Sequence, residues 1–574
     1  MNNMITGSKG ASHTFRIPDV VEDESQAIML ETRSLRSIDN PITQEDRNGS
    51  EKEAIESDID MEVYHLELKA MVPLILGLML AMFVVALDNT IIATAIPKLT
   101  AEFVALLDVG WYGSIYILCT VALQPTFGKI YSFWDTKYTF LTAIFIFEVG
   151  SVICAAATSS NMFIVGRAIS GCGAAGVFSG VMTIVGYAAR VEQRPACLAF
   201  VVSMFAVSAI VGPLLGGVLT DKASWRWCFW INPLIGSGAV VAVIVFFKSP
   251  KRHACTLTPI EKAREMDIPG SALLIGGCTC LLLALQQGGT RYAWADARIW
   301  GLLAIGFPLL IALFIYQQIR RGERATIPPG LFMQRTVLSC SLFAFFQMAT
   351  VFVHVFYLPF YFQSIQGVSA IDSGIRSIPY LLANVVPAIV VAGVLPKAGY
   401  YTPFMIAGGI FAVVGAGLLY TLKVDSPAAE WIGYQIIAGF GVGLSAQLPI
   451  VAIQTILKPK DYPVGNAIYL FFQNLGGSIT ISIAQTILQN TLYHEIPLAV
   501  PSPISAQDVI NAGVTNLRES FPSTVLAGIL KAYMTAINRA FALPIAMAAL
   551  TLISACFVEW KSVKGQKTGA ATGV

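Results

Sequence analysis

The run K-A-M-V-P-L-I-L-G-L-M-L-A-M-F-V-V-A-L-D-N-T-I-I-A-T-A-I-P, Lys69–Pro97, decides the fold. After Lys69 its one charged residue is Asp88. About 20 predominantly apolar residues are what a helix needs to cross a hydrocarbon core of about 30 Å. Upstream, residues 1–69 hold 7 Lys/Arg and 15 Asp/Glu without apolar periodicity, and predict a disordered tail. No basic start followed by a short apolar run opens the sequence, so no cleavable signal peptide is expected. Downstream, the pattern of the first run repeats to the end of the chain. The whole sequence is 55% hydrophobic and 13% charged, against about 25% charged in soluble domains. So few charges cannot cover a water-soluble surface. A secreted disulfide-stapled domain, a coiled coil and a nucleic-acid binder are excluded, and a polytopic membrane protein embedded in a lipid bilayer remains.

Fourteen spans are expected, near 71–93, 107–127, 138–158, 162–187, 197–219, 227–247, 269–287, 299–318, 337–362, 374–395, 402–422, 431–456, 464–489 and 538–558. The fold class is therefore all-α, with 14 transmembrane helices. Long loops at 248–268 and 319–335 divide the body into six, two and six spans. The expected organisation is a cytosolic tail over 1–69, a six-span half over 70–248, a linker with two extra spans over 249–335, a second six-span half over 336–560 and a cytosolic tail over 561–574. One long exterior loop, 490–537, with few charges and several Pro, falls in the second half and is expected to include amphipathic helix.

Loop charge sets orientation, because cytosolic loops carry the excess of Lys and Arg. Loops on the side of the N-terminal tail hold 16 such residues, among them Lys129, Lys137, Arg190, Arg194, Lys458 and Lys460. The opposite loops hold 6: Lys98, Lys222, Arg226, Arg291, Arg298 and Lys423. Both termini are expected in the cytosol, and the sequon at Asn48 is expected to stay unglycosylated.

The halves echo each other in their small residues. Gly171, Gly173 and Gly176 of the fourth span answer to Gly439, Gly441 and Gly443 of the twelfth, and Gly216-Gly217 of the fifth to Gly476-Gly477 of the thirteenth. Small residues at such spacings let membrane helices approach closely. Their recurrence at matching places points to a duplicated transporter, whose substrate site lies between repeats near mid-membrane.

No G-x-x-x-x-G-K-[ST] stretch is present, so no internal ATPase is expected. The ten Cys are scattered, Cys278 and Cys280 lack a second ligand pair, and the five His form no paired pattern. No catalytic residue, metal site or cofactor is expected. Energy then comes from an ion gradient or from the substrate's own. An ionisable side chain inside the membrane is costly and functional by default, and here these are Asp88, Glu148, Arg167 and His354. Burial favours the neutral form of a carboxyl and a neighbouring cation the charged form, so Asp88 is suited to exchange a proton or to cap a helix end. Arg167 keeps its charge and suits a fixed counter-ion, or a snorkelling position at the span end. Glu148 either pairs with a polar group or carries a proton, and His354 reads as a satisfied core group. Pro213 interrupts the helix bonding of the fifth span within S-A-I-V-G-P-L-L-G-G, Ser208–Gly217.

This last stretch resembles the antiporter signature G-x-x-x-G-P-x-x-G-G of the major facilitator superfamily, with Ser208 at the first Gly. L-D-N-T-I-I-A-T-A-I-P (Leu87–Pro97) looks like the first-span motif of the fourteen-span drug:proton antiporters. I-V-G-R-A-I-S-G-C-G-A-A resembles the fourth-span motif whose arginine, here Arg167, is associated with proton coupling. W-R-W-C-F-W-I-N-P-L-I-G (Trp225–Gly236) is similar to the family's sixth-span opening, with Pro and Leu exchanged. The loop G-K-I-Y-S-F-W-D-T-K keeps Gly128 and Lys137 but places Ser132 where the family's gating Asp belongs, leaving Asp135 as a substitute. With F-I-F-E-V-G-S after it, this loop is of a form found in fungal toxin-efflux carriers.

The resemblance implies the major facilitator fold and proton-coupled efflux of amphipathic organic compounds by alternating access, with no cofactor besides the proton gradient. The charges inside the membrane nominate Asp88, Glu148 and, with the fourth-span motif, Arg167 for proton coupling, and the resemblance points to Gly212, Pro213, Gly216, Gly217, Gly128 and Lys137 for gating. Broad recognition needs apolar walls with a few hydrogen-bonding groups, which nominates Gln124, Gln347, Tyr357, Gln447, Gln454, Gln473 and Asn474 as cavity lining. Small amphipathic molecules and protons are the expected partners, a monomer the expected state, and the plasma membrane the expected location, with the vacuolar membrane as alternative. Uptake of iron chelates or basic amino acids, and a non-transporting sensor, are the competing functions. The charge split generates a first prediction: deleting residues 1–60 leaves transport in membrane vesicles unchanged, as read by initial rates per inserted protein.

Overall fold

The computed structural model describes residues 66–103, 108–250, 266–289, 292–319, 325–500, 504–512 and 517–564. The acidic tail up to residue 65 with its Asn48 sequon, residues 251–265 and 320–324 of the two basic loops, and the residues after Lys564 lie outside them.

A chain in lipid has no water to satisfy its backbone, so apolar stretches close their N–H and C=O groups within helices. Six long helices come first: α1 (Leu68–Phe103), α2 (Val109–Phe133), α3 (Thr136–Ala155), α4 (Ser160–Ala188), α5 (Arg194–Lys222) and α6 (Trp227–Phe246). A pair follows, α7 (Ile268–Gln287) and α8 (Ala297–Ile319). The last group is α9 (Arg335–Ser364), α10 (Ala370–Ala398), α11 (Thr402–Tyr420), α12 (Ala428–Ser445 and, after a turn at Ala446–Gln447, Leu448–Ile456), α13 (Tyr462–Ala499) and α14 (Ser523–Phe557).

Among the described residues, 13 helices are long and apolar enough to cross a membrane. The expected second span, α2, is 25 residues long but less apolar than these. Gln124, Pro125 and Lys129 lie within it, and beyond Gly110 none of its residues is exposed. A helix wrapped by α4, α7 and α13 faces protein rather than lipid and tolerates polar groups. Several helices outrun the expected spans. α1 continues ten residues past 93, and the segment expected as an exterior loop, 490–537, is helical at both ends. There Leu492, Ile496 and Val500 recur every fourth residue and pack with Ile529, Leu530 and Tyr533 of α14.

The contact pattern of the first six helices is repeated by the last six. α1 packs on α5 and α6 as α9 packs on α13 and α14. The pairs α2–α4, α3–α4 and α3–α6 have counterparts in α10–α12, α11–α12 and α11–α14. The two groups meet where α2 and α4 touch α13 and where α5 touches α10, and α7 lies against both α2 and α13.

Glycines set the closest of these approaches. A Cβ on Gly171 would lie 2.5 Å from the Tyr116 carbonyl oxygen of α2, while one on Gly173 would strike the Phe147 backbone of α3. In the second group a Cβ on Gly439 would lie 2.5 Å from the Tyr380 carbonyl oxygen of α10, and one on Gly441 would strike the Ala412 backbone of α11. The fourth helix of each group is thus wedged between the second and third on the same two faces. The other matched pair is shared in kind but not in depth: Gly216 is residue 23 of α5 and Gly476 residue 15 of α13. Each nevertheless meets the first helix of its group, at Ile91 and Phe345.

Gly173→Ala and Gly441→Ala are expected to lower stability by about 1–3 kcal/mol through overpacking. Gly417→Ala, with no atom within 4 Å of the added carbon, is expected to show no loss. Thermal unfolding of the purified protein in detergent distinguishes the two classes.

Candidate functional site: a buried ion pair in the first six helices

Arg167 and Asp88 are both fully buried, on α4 and α1, and form an ion pair through Arg167 Nη1 and Asp88 Oδ2. The pair is held on both sides. Arg167 Nε donates to the Tyr112 carbonyl oxygen at 2.9 Å, and its guanidinium lies 4.4 Å from the centre of the Tyr116 ring. Asn232 Nδ2 of α6 donates to Asp88 Oδ1 at 2.9 Å and to Ser151 Oγ of α3 at 3.1 Å. Asn232 and Ser151 are fully buried as well. Five helices, α1, α2, α3, α4 and α6, therefore converge on one polar point. Nothing of Arg167 reaches a span end, so the snorkelling alternative is excluded. The Asp88 side chain serves the arginine and the amide, not a helix terminus.

Glu148 stands apart from this cluster. It lies on α3, one turn before Ser151, and both carboxylate oxygens are buried without a hydrogen-bond partner among the described residues. Its carboxyl rests on Gly236 of α6, where an added Cβ would come within 3.0 Å of the carboxyl carbon.

The family profile described as Major Facilitator Superfamily matches residues 78–481. The chain belongs to the Major Facilitator Superfamily. The MFS-type transporter astH of Aspergillus oryzae is 45% identical over 494 residues, covering 86% of this chain and 87% of that protein. The MFS-type efflux pump MFS1 of Arthroderma benhamiae is 42% identical over 534 residues, 92% of this chain and 99% of its own length. The efflux pump roqT of Penicillium rubens is 43% identical over 493 residues, 86% and 91% of the two chains. Among solved structures, the human organic anion transporter MFSD10 superposes with a TM-score of 0.53 at 13% identity, over 83% of this chain and 99% of that one. A double tryptophan mutant of XylE gives 0.54 at 12% identity, over 85% and 96%. At that identity the two structures establish the fold alone.

In this major facilitator transporter the Ser208–Gly217 stretch docks α5 on α1, beside the ion pair. The hydroxyls of Ser208 and Thr90 are 3.0 Å apart, and Thr90 Oγ1 also donates to the Ser208 carbonyl at 3.1 Å. Gly212 and Gly216 continue the same face, so close that a Cβ on either would overlap Thr90 or Ile91. Ser208 thus replaces the signature glycine with a hydrogen bond at the same contact. Pro213 lies on the exposed face of an unbroken helix, and nothing comes within 4 Å of a Cβ on Gly217.

The loop residues divide. Gly128 brings α2 against α13, with its Cβ position 2.5 Å from Ala467 Cβ and 3.1 Å from the Pro463 carbonyl oxygen. Lys137 Nζ donates to the Ile244 carbonyl oxygen at 2.6 Å. Asp135 caps its own helix, accepting from the Lys137 and Tyr138 amides at 2.9 and 3.1 Å. Ser132 Oγ donates to the Gly128 carbonyl at 3.0 Å.

The nominated amides are not gathered around one space. Asn474 Nδ2 of α13 donates to Gln124 Oε1 of α2 at 3.2 Å, bridging the two six-helix groups. Gln347 Nε2 donates to Ser445 Oγ at 2.8 Å, and Gln473 Nε2 to Tyr469 Oη at 3.2 Å. Gln447 lies at the break in α12, beside a cavity of about 10 Å³ that Pro195 of α5 also lines. Tyr357 is buried with its ring 6.0 Å from Phe360, and His354 Nδ1 lies 3.3 Å from Tyr380 Oη. Gln454 belongs to a second cluster at the end of the bundle that carries the basic loops. Its Nε2 donates to the Met182 carbonyl at 3.2 Å and to Asn466 Oδ1 at 3.1 Å. Arg194 Nη1 donates to the Gln454 carbonyl at 3.1 Å and to Tyr462 Oη at 3.2 Å, and Tyr187 Oη to the Pro459 carbonyl at 3.3 Å. The two groups are latched together there.

Sequence reasoning passes over Asn232, Ser151, Asn466 and the bridging role of Arg194. Asn232 is an amide inside an apolar span in Trp225–Gly236, and Ser151 falls one turn after Glu148. Both signals were present as polar residues facing known charges. Arg194 is legible only as a loop charge until its partners 260 residues away come into view.

Removing one partner of a buried pair strands the other charge, at a cost of about 3–5 kcal/mol. Asp88→Asn and Arg167→Gln are each expected to lose about that much stability. The double variant is expected to lose less than the sum of the two, as a double-mutant cycle by thermal or denaturant unfolding reads directly.

Proposed function

We propose that this transporter is a proton-coupled exporter of amphipathic organic compounds, working by alternating access. The observation that carries the reading is the Arg167–Asp88 pair, buried at 0% exposure in the first six helices and wired to α2, α3 and α6. A membrane-buried charge pair is costly to maintain and contributes little to packing that an apolar pair would not. Its use is as a charge balance that a proton entering or leaving nearby can upset. The relatives MFS1 and roqT, named as efflux pumps, support export over uptake.

With the basic loops in the cytosol, the Arg194–Gln454–Tyr462 latch lies at the cytosolic end. The conformation described is then closed toward the cytosol. Outward release from such a state, followed by return of the unloaded carrier, requires that the latch open and reform in each cycle. The bonds of the latch are single hydrogen bonds to carbonyl and hydroxyl groups, each worth about 0.5–1.5 kcal/mol, or about 1.5–3 where charged. That is strong enough to favour one state and weak enough to exchange. The Gln124–Asn474 bridge is the corresponding polar contact between the groups within the spans.

The test is transport by inverted membrane vesicles holding the protein, with a panel of amphipathic fluorescent dyes and an imposed pH gradient. The expected result is accumulation that a protonophore abolishes, and its loss in Asp88→Asn at matched amounts of inserted protein. Accumulation that ignores the protonophore removes the proton from the mechanism.

A further inference from the structure

We propose that Glu148, not Asp88, is the carboxyl that carries the exchanging proton, and that α6 couples the two acids; this rests on the proton-coupled reading above.

The two carboxyls have opposite surroundings. Asp88 is fully engaged by donors. It accepts from Arg167 on one oxygen and from Asn232 at 2.9 Å on the other. A proton arriving there would displace one of those bonds and strand the arginine, which cannot neutralise itself. Glu148 has no such donors. Its two oxygens are buried and unpartnered, beside a cavity of about 10 Å³ lined otherwise by Ala81, Val84, Val85, Phe147, Gly236 and neighbouring apolar side chains. A carboxylate left without a hydrogen bond in an apolar site is far more costly than a neutral acid there. The resting Glu148 is therefore a carboxylic acid, and it becomes an anion only when something supplies a donor or admits water.

The groups facing Glu148 from each packed helix are few. α1 contributes Asp88, whose negative charge acts on Glu148. α4 contributes Arg167, which is paired with Asp88. α6 contributes no charged residue along Trp227–Phe246, only Asn232 and Gly236. Those two are four residues apart and so lie on one face. Asn232 holds Asp88, and Gly236 bears on the Glu148 carboxyl. Asn232 Oδ1 is itself buried without a partner. A shift of α6 against α1 and α3 thus changes the environment of both acids at once. If Asn232 leaves Asp88, the anion faces Glu148 less compensated; if Gly236 withdraws, room opens for water beside Glu148. The proton is taken up or given off at Glu148, while the Asp88–Arg167 charge persists through the cycle.

The assignment is read without any transport substrate. Purified full-length protein in lipid is titrated while the infrared carbonyl stretch of protonated carboxyl groups is recorded. A band that persists at neutral pH is expected in the wild type and in Asp88→Glu, and is expected to vanish in Glu148→Gln. Gly236→Ala pushes a methyl group onto the carboxyl while keeping the acid, and is expected to move the midpoint at which the band disappears. Retention of the full band in Glu148→Gln overturns the assignment, as does a wild type without the band at neutral pH. An unmoved midpoint in Gly236→Ala overturns the role given to α6. Loss of the band in Glu148→Gln together with protonophore-insensitive transport by wild-type vesicles leaves Glu148 protonated but defeats the coupling reading, so the two failures are distinct.

Discussion

A guanidinium that cannot lose its proton sits at 0% exposure among apolar helices, and much of the first six-helix group is arranged around that constraint. Arg167 must have an anion, so Asp88 of α1 faces α4. It must have further acceptors, so the Tyr112 carbonyl and the Tyr116 ring of α2 are turned toward it. The aspartate in turn needs a second donor, which brings Asn232 of α6, and that amide reaches Ser151 of α3. Each partner comes from a different helix. The pair therefore ties five helices to one polar point.

Close packing by small residues makes this convergence possible. With lipid as apolar as the side chains, helices in a membrane associate through contact and hydrogen bonding rather than by escaping water. Gly171 and Gly173 let α4 come near enough to α2 and α3 for the arginine to reach its partners, and Ser208, Gly212 and Gly216 do the same for α5 on α1. The second group repeats the glycines of its fourth helix at Gly439 and Gly441 but not the charges. Gln435 of α12, four residues before Gly439 as Arg167 is before Gly171, donates to the Arg376 carbonyl oxygen at 3.0 Å, and His354 of α9 lies 3.3 Å from Tyr380. Among the described residues the fully buried ion pair belongs to the first group.

The contacts between the groups are of a third kind. They are amides, hydroxyls and carbonyls, as in Gln124–Asn474 and the Arg194–Gln454–Tyr462 cluster, with no acid opposite Arg194 among the bonds it makes. Neutral acceptors around one cation make the seam polar and specific in register.

The sequence by itself determined the membrane class, the all-helical fold, the order of the helices and the presence of Asp88, Glu148 and Arg167 within spans, because apolar length and isolated charges are properties of single segments. It also carried the duplication, through glycines whose spacing survives in both groups. It placed a second span at α2, which is a helix there but less apolar than the others, since apolarity reports contact with lipid and α2 faces protein. It placed Gln454 with the cavity amides and Arg194 among the loop charges, since nothing local says that residues 260 apart share a bond. Above all, only the tertiary structure decided that Asp88 has Arg167 and Asn232 while Glu148 has no partner. Two carboxyls in apolar helices look alike along a chain; what separates them is which neighbouring helix presents a donor and which presents a glycine.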